Sequence, residues 1–246
     1  MSRLPWLLAL VVLLAAGSAG TASAQSLQSG AVPFVGADAT LIWDGITFSA
    51  SNMSCSDGST GSKPNVILTP CASIYLAPGS GGHDPSVIIE AANLSGQLVP
   101  IDSIDCTTTG GCTNAHYDLM VDLTATTAMG QAPLTAASVT VAGSATPGSF
   151  AGNVGGNETL TDAPGCTGGL QASLAMSASC TFTSPSSSVN AQKNFGLTVM
   201  GLPQGDQLAF NSVTEGFTLA PEPGSTASLV VGVIGLLVAR RKKRRV

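Results

Sequence analysis

Few side chains between residues 25 and 220 carry the makings of chemistry. The two histidines are His83, inside the turn-like run Gly81-Gly82-His83-Asp84-Pro85, and His116, at the start of an alternating stretch. A hydrolytic triad sets a nucleophile against a histidine held by an acid, and no Gly-x-Ser-x-Gly elbow presents a serine in that way. Two pairs of acids invite glycoside chemistry, which needs carboxyls on either side of one bond: Asp102 with Asp105, and Asp118 with Asp122. On a strand the second pair falls on one face about 13 Å apart, at about 3.3 Å per residue, and reads as a solvated stripe. Asp102-Ser103-Ile104-Asp105 is a candidate for calcium, which gathers several loop oxygens, but the Asp-x-Asp-x-Asp-Gly spacing is missing. No catalytic residue, metal ligand set or cofactor is assigned on these grounds, and no enzymatic activity is expected.

The six cysteines are Cys55, Cys71, Cys106, Cys112, Cys166 and Cys180. An even count in an exported chain points to disulfides, and six cysteines allow fifteen connectivities. Pairing of sequence neighbours is expected: Cys55 with Cys71, Cys106 with Cys112, and Cys166 with Cys180. Each bridge would clip a Gly/Ser/Thr-rich loop. Closing a loop of about 15 residues is worth roughly 3 kcal/mol in the chain-entropy picture. No Cys-x-x-Cys occurs, and an oxidising compartment disfavours a thiolate metal site.

The chain that must position these groups has 246 residues, of which 9% are charged and 4% aromatic, with 44% hydrophobic. Ordinary globular chains are about 25% charged. The charges are sharply segregated. Arg3 lies near the start and six cations lie at the end. Residues 25–220 hold only Lys63 and Lys193 against thirteen carboxylates, a formal charge of −11 hidden within the −5 of the whole chain. A nucleic-acid partner needs a basic face, so that class is excluded.

Residues 1–24 have the layout of a secretory signal peptide. Arg3 precedes the apolar run Leu7–Ala16, and Ala22-Ser23-Ala24 supplies the small residues of a cleavage site before Gln25. The other end, 221–246, is a second module. Pro221-Glu222-Pro223-Gly224 breaks regular structure. The uncharged run Ser225–Ala239 is expected to form a transmembrane helix. It would rise about 22 Å at about 1.5 Å per residue, and spans a bilayer of about 30 Å only with thinning and snorkelling flanks. Arg240, Arg241, Lys242, Lys243, Arg244 and Arg245 follow and pin that end to the cytoplasmic side.

The order of Pro221-Glu222-Pro223, short apolar helix and basic cluster, in a chain with a signal peptide, resembles the PEP-CTERM sorting signal of Gram-negative bacteria. The resemblance covers about the last 26 residues. It implies recognition of Pro221, Glu222 and Pro223 by an exosortase, a membrane-embedded processing enzyme. It also implies a passing residence in the inner membrane through 225–239. Cutting near the motif would then deliver the body to the cell surface or extracellular matrix. Proteins with this signal usually occur in species that make exopolysaccharide and biofilm. The expected role is therefore structural or adhesive in that layer, with exopolysaccharide as a candidate partner. Three alternatives stay open: a bitopic protein that keeps its tail as an anchor, a secreted or periplasm-facing hydrolase, and a membrane-tethered carbohydrate-binding module.

Between the two ends, 25–220 reads as one all-β domain, a single antiparallel β-sandwich. Tyr117, Leu119, Val121 and Leu123 alternate with His116, Asp118, Met120 and Asp122, the period of a strand with one buried face. Further strands are expected at 40–43, 46–51, 66–68, 74–76, 87–92, 138–142, 172–178, 195–200 and 213–219. Clusters such as Pro78–Gly82 and Gly152–Asn157 are expected as turns. Short strands punctuated in this way favour a sandwich over a parallel sheet. Lys193 beside Asn194 resembles the pair that forms Lys–Asn cross-links in surface sandwiches, but the sequence singles out no buried acid to serve it.

Overall fold

The computed structural model describes residues 25–57, 66–68, 73–106, 115–146, 152–166, 168–174 and 176–221. The expected signal peptide, the apolar run 225–239 and the basic tail lie outside these residues. No helix among the described residues is long and apolar enough to cross a membrane.

The described chain forms the strands β1 (Val32–Pro33), β2 (Ala39–Trp43), β3 (Ile46–Asp57), β4 (Val66–Leu68), β5 (Ile74–Pro78), β6 (Ser86–Ala92), β7 (Leu98–Val99) and β8 (Asp102–Asp105), followed by β9 (Ala115–Thr127), β10 (Leu134–Ala145), β11 (Gly152–Thr161), β12 (Leu170–Ser173), β13 (Ala178–Ser186), β14 (Ser188–Val199) and β15 (Gln207–Leu219). They make two antiparallel sheets. One runs β12-β11-β14-β9-β3-β2. The other follows β1-β5-β6-β15-β10-β13, with β4, β7 and β8 attached at its side.

Strand alternation builds the core. Tyr117, Leu119, Val121 and Leu123 of β9 are buried, as are Val189, Ala191, Phe195, Leu197 and Val199 of β14. From the facing sheet come Val87 and Ile89 of β6, Val139 and Val141 of β10, and Val213 and Phe217 of β15. Phe48 of β3 meets Phe217 across the sheets, ring centroids 5.9 Å apart. With aromatics scarce, the core rests mostly on aliphatic side chains and alanine. The β2–β3 hairpin turns on Asp44 and Gly45, at φ 52° and 78°. Positive φ at both positions is what a two-residue turn needs to match strand twist, and Asp-Gly supplies it.

The structure corrects the expected strands in two places. The Gly-rich run 152–157 is not a turn but the start of β11, paired with β14 from Gly152 to Thr161. Its neighbours approach so closely that only glycine fits. A Cβ on Gly155 would lie 2.5 Å from the Ala172 carbonyl oxygen, and one on Gly156 would run into that of Asn194. Conversely, 172–178 is not one strand. β12 stops at Ser173, a Ser173–Met176 bridge reverses the chain, and β13 starts at Ala178.

Candidate functional site

The outer face of the six-stranded sheet gathers amides, hydroxyls and carboxylates. In β3 the register against β9 shifts between Ser51 and Ser54. Asn52 sits in that bulge at φ 56°, a conformation asparagine tolerates better than most residues. The bulge turns its side chain toward β9, where Nδ2 donates to Asp122 Oδ2 at 2.9 Å. Around this pair a cleft of about 460 Å³ is lined by Ser54, Asn157, Thr159, Gln192 and Asn194, with Met120 as its largest apolar side chain. One step along the strands, Gly155, Gly196 and Asp118 stand abreast on β11, β14 and β9. Two adjacent residues without side chains leave a second, shallower hollow of about 260 Å³ beside Asn153 and Thr198.

His116 lies at the rim of this face. Its Nδ1 is 3.0 Å from Thr198 Oγ1 and its Nε2 is 2.7 Å from Asp118 Oδ2. Hydroxyl, imidazole and carboxylate stand in the sequence of a hydrolytic relay. They sit on two interior strands of a sheet, whose backbone N–H groups are engaged in ladders on both sides. Acyl transfer also needs a pair of donors aimed at an oxyanion, whereas the described neighbours of Thr198 on β11 and β9 are engaged in ladder pairing. His83 is exposed in its turn, where its carbonyl accepts from the Leu219 N–H at 3.0 Å.

Beneath the polar face lies a group the sequence reading did not assemble. Lys193 points into the core from β14, and its neighbour Asn194 points out, so the structure does not bring that pair together. Lys193 is 1% exposed, and Glu158 and Glu215 are 0% exposed. Lys193 Nζ bonds Glu158 Oε2 and reaches Glu215 Oε2 at 2.5 Å. Glu158 stands directly opposite Lys193 in the β11–β14 ladder, with Val121 on the other side. Glu215 comes from the facing sheet, between Val87 and Val139. The cluster thus ties the sheets together inside a wall of valines. Burial, with the neighbouring Glu158 carboxylate, pushes the Glu215 carboxyl well above its ordinary pKa against the opposing pull of Lys193. Burial opposes the charge on Lys193, yet the two carboxylates outweigh it and hold its pKa above the usual lysine value. One oxygen on each glutamate, Oε1, is buried with no hydrogen-bond partner among the described residues. The signal was present in the sequence. Lys193 shares the parity of Val189, Ala191, Phe195 and Leu197, and Glu215 that of Val213 and Phe217.

The other expected site residues fall as follows. Cys166 and Cys180 are bonded, with Cα atoms 6.0 Å apart. The bridge joins β13, at the edge of one sheet, to the segment that follows β11 in the other. Cys55 and Cys106 are also disulfide-bonded, and their expected partners Cys71 and Cys112 lie outside the described residues. Asp102 is buried and Asp105 half-buried, on opposite faces of β8, so they do not converge as a calcium site would require. Among the described residues no three metal-binding side chains cluster. Of the sorting motif only Pro221 is described, exposed just past β15, while Glu222, Pro223 and the six terminal cations lie outside. Comparison with family models, with curated proteins and with solved structures gives no match.

Proposed function

We propose that the protein is an exported structural component of the cell surface or extracellular matrix, delivered by an exosortase-like enzyme that removes its tail. The observation that carries this reading is the place where the body stops. β15 ends at Leu219, and the Ala220 N–H donates to the Pro133 carbonyl at 2.8 Å. The next three residues are Pro221-Glu222-Pro223. A cut there would leave the last strand whole, because its pairing ends one residue earlier. A disulfide-braced sandwich of this kind suits a structural role in an oxidising compartment. The alternative of a retained anchor predicts a full-length protein in the inner membrane. Mass analysis of membrane and extracellular fractions separates the two. The expected extracellular form begins at Gln25 and ends near Pro221–Gly224, and an intact tail in that fraction refutes processing.

The polar cleft favours a second reading, a carbohydrate-binding surface. Asn52, Asp122, Gln192 and Asn194 offer paired donors and acceptors of the kind sugar hydroxyls engage. Recombinant residues 25–220 would be applied to a glycan array. Binding lost in Asp122→Ala supports the module, and a blank array leaves the body as a passive matrix component. The net negative charge excludes direct electrostatic capture of an acidic polysaccharide, so that partner would need bridging divalent cations.

A further inference from the structure

Lys193, Glu158 and Glu215 form a dry cluster of one amine and two carboxyls, contributed by both sheets. We propose that Lys193 and Glu215 condense into an isopeptide bond, with Glu158 as the general base, so that the two sheets become covalently joined through the core. The inference does not depend on how the chain is sorted or trimmed.

Geometry assigns the roles. The nucleophile Nζ touches a carboxyl oxygen of each glutamate. With Glu215 Oε2 at 2.5 Å, the carboxyl carbon one bond further on is close to the separation of about 3–3.5 Å at which bound groups react. Val121 stands opposite Lys193, and Val87 and Val139 stand on either side of Glu215, so the groups are framed by buried apolar neighbours in the ladders. The neutral acid is the electrophile, because an ionised carboxylate resists attack. Burial and the adjacent Glu158 charge favour the protonated form of Glu215. Lys193 rests as the ammonium, so it needs a base in contact with Nζ, and Glu158 is that base.

The step balances. The Lys193 ammonium gives a proton to the Glu158 carboxylate, and the freed lone pair attacks Cδ of the protonated Glu215. As the C–N bond forms, the C–OH bond breaks. The hydroxyl leaves with a proton from Glu158 as one water, and the nitrogen returns a proton to Glu158. The products are a secondary amide, a neutral Glu158 and water. A buried ammonium–carboxylate pair, which is costly to desolvate, is replaced by neutral groups, and one of the two orphaned carboxyl oxygens is eliminated. No external reactant is required.

The test is peptide mapping of the reduced, full-length protein with a protease that cuts after free glutamates. Expected is cleavage after Glu158, none after Glu215, and a fragment carrying Lys193 and Glu215 that is lighter than its sequence by one water. Fragmentation should locate the branch between those two residues. Normal cleavage at both glutamates with full-mass fragments overturns the proposal. A water-deficient fragment branched at Glu158 overturns the assignment of electrophile and base. Glu158→Ala should yield folded protein, checked by circular dichroism, with full mass retained for hours. A bond forming at the wild-type rate in that variant would equally refute the role of Glu158. If the variant fails to fold, the wild-type map decides alone.

Discussion

Replacing Lys193 by methionine keeps a long unbranched side chain in the core and removes the cation of its cluster. In the native protein one of the two buried glutamates must hold a proton. Before condensation this is Glu215, whose burial favours the acid; after condensation it is Glu158. In the variant no counter-charge remains, so both must be protonated. An unfolded glutamate titrates near about 4.3, and each pH unit above that costs about 1.4 kcal/mol to keep the proton on. The extra proton therefore costs about 4 kcal/mol at pH 7 and about 1 kcal/mol at pH 5. The pH 7 figure falls within the roughly 3–5 kcal/mol expected when a buried pair loses one partner. The sign follows from linkage. A carboxyl raised in the folded state contributes stability below its unfolded pKa and loses it as pH rises through the folded one. Wild type should thus weaken as pH rises above about 4.3, and Lys193→Met should weaken by one proton more in slope. Glu90, whose carboxyl is also raised by burial, affects both proteins alike and cancels in the difference. Urea titrations of both proteins at pH 5, 6 and 7 measure it. A destabilisation that does not change with pH, or one below about 1 kcal/mol at pH 7, would refute the reasoning, since the fully buried pair then could not be paying the protonation cost.

Cys180→Ser should lower stability by about 3 kcal/mol, the closure entropy of a loop of this length, read as a reduced urea midpoint with a slope that rises because the unbridged unfolded chain is less compact. Gly196→Ala should cost about 1–3 kcal/mol, because a Cβ there would overlap the Tyr117 carbonyl on the paired strand; a melting temperature within a degree of wild type would contradict that packing. Moving residues 221–246 onto an unrelated exported cargo should produce a membrane-held precursor and a trimmed product, and a cargo that is neither held nor trimmed would remove the basis of the sorting assignment.

The alternation in β9 was legible because Tyr117, Leu119, Val121 and Leu123 occupy every second position from His116 to Leu123, with polar residues between them except at the exposed Met120. The hairpin at Asp44-Gly45 was equally exposed to reading, since few other dipeptides accept two positive φ values. β11 was not, because glycine signals a turn whenever its cause is hidden. Here the cause is the closeness of Ala172 and Asn194 on the flanking strands, which only the folded sheet reveals. The buried cluster was half legible. Parity alone places Lys193 and Glu215 inward, and the habit of assigning charges to solvent hides them. What no single strand encodes is that β14 and β15, from different sheets, bring those two positions face to face. The polar cleft depends on a bulge at Asn52, a backbone event with no sequence pattern in the strand that carries it.

The Cys166–Cys180 bridge and the Lys193 cluster tie the sheets by different chemistry, and that difference bears on what the body withstands. Cys166–Cys180 joins the sheets near an edge and yields to any sufficiently strong thiol reductant. The Lys193 cluster holds them at the centre and contains no sulfur. If it is condensed, reduction loosens the edge and leaves the middle joined, and acid does not open it, since an amide does not titrate. If it stays ionic, its strength varies with pH through the carboxyls and it dissolves on unfolding. The four buried carboxylates Glu90, Asp102, Glu158 and Glu215 also make the exterior less acidic than the formal −11 of residues 25–220 suggests. Long-range repulsion between neighbouring copies, or between the body and an acidic polymer, is screened within about 8 Å at physiological salt.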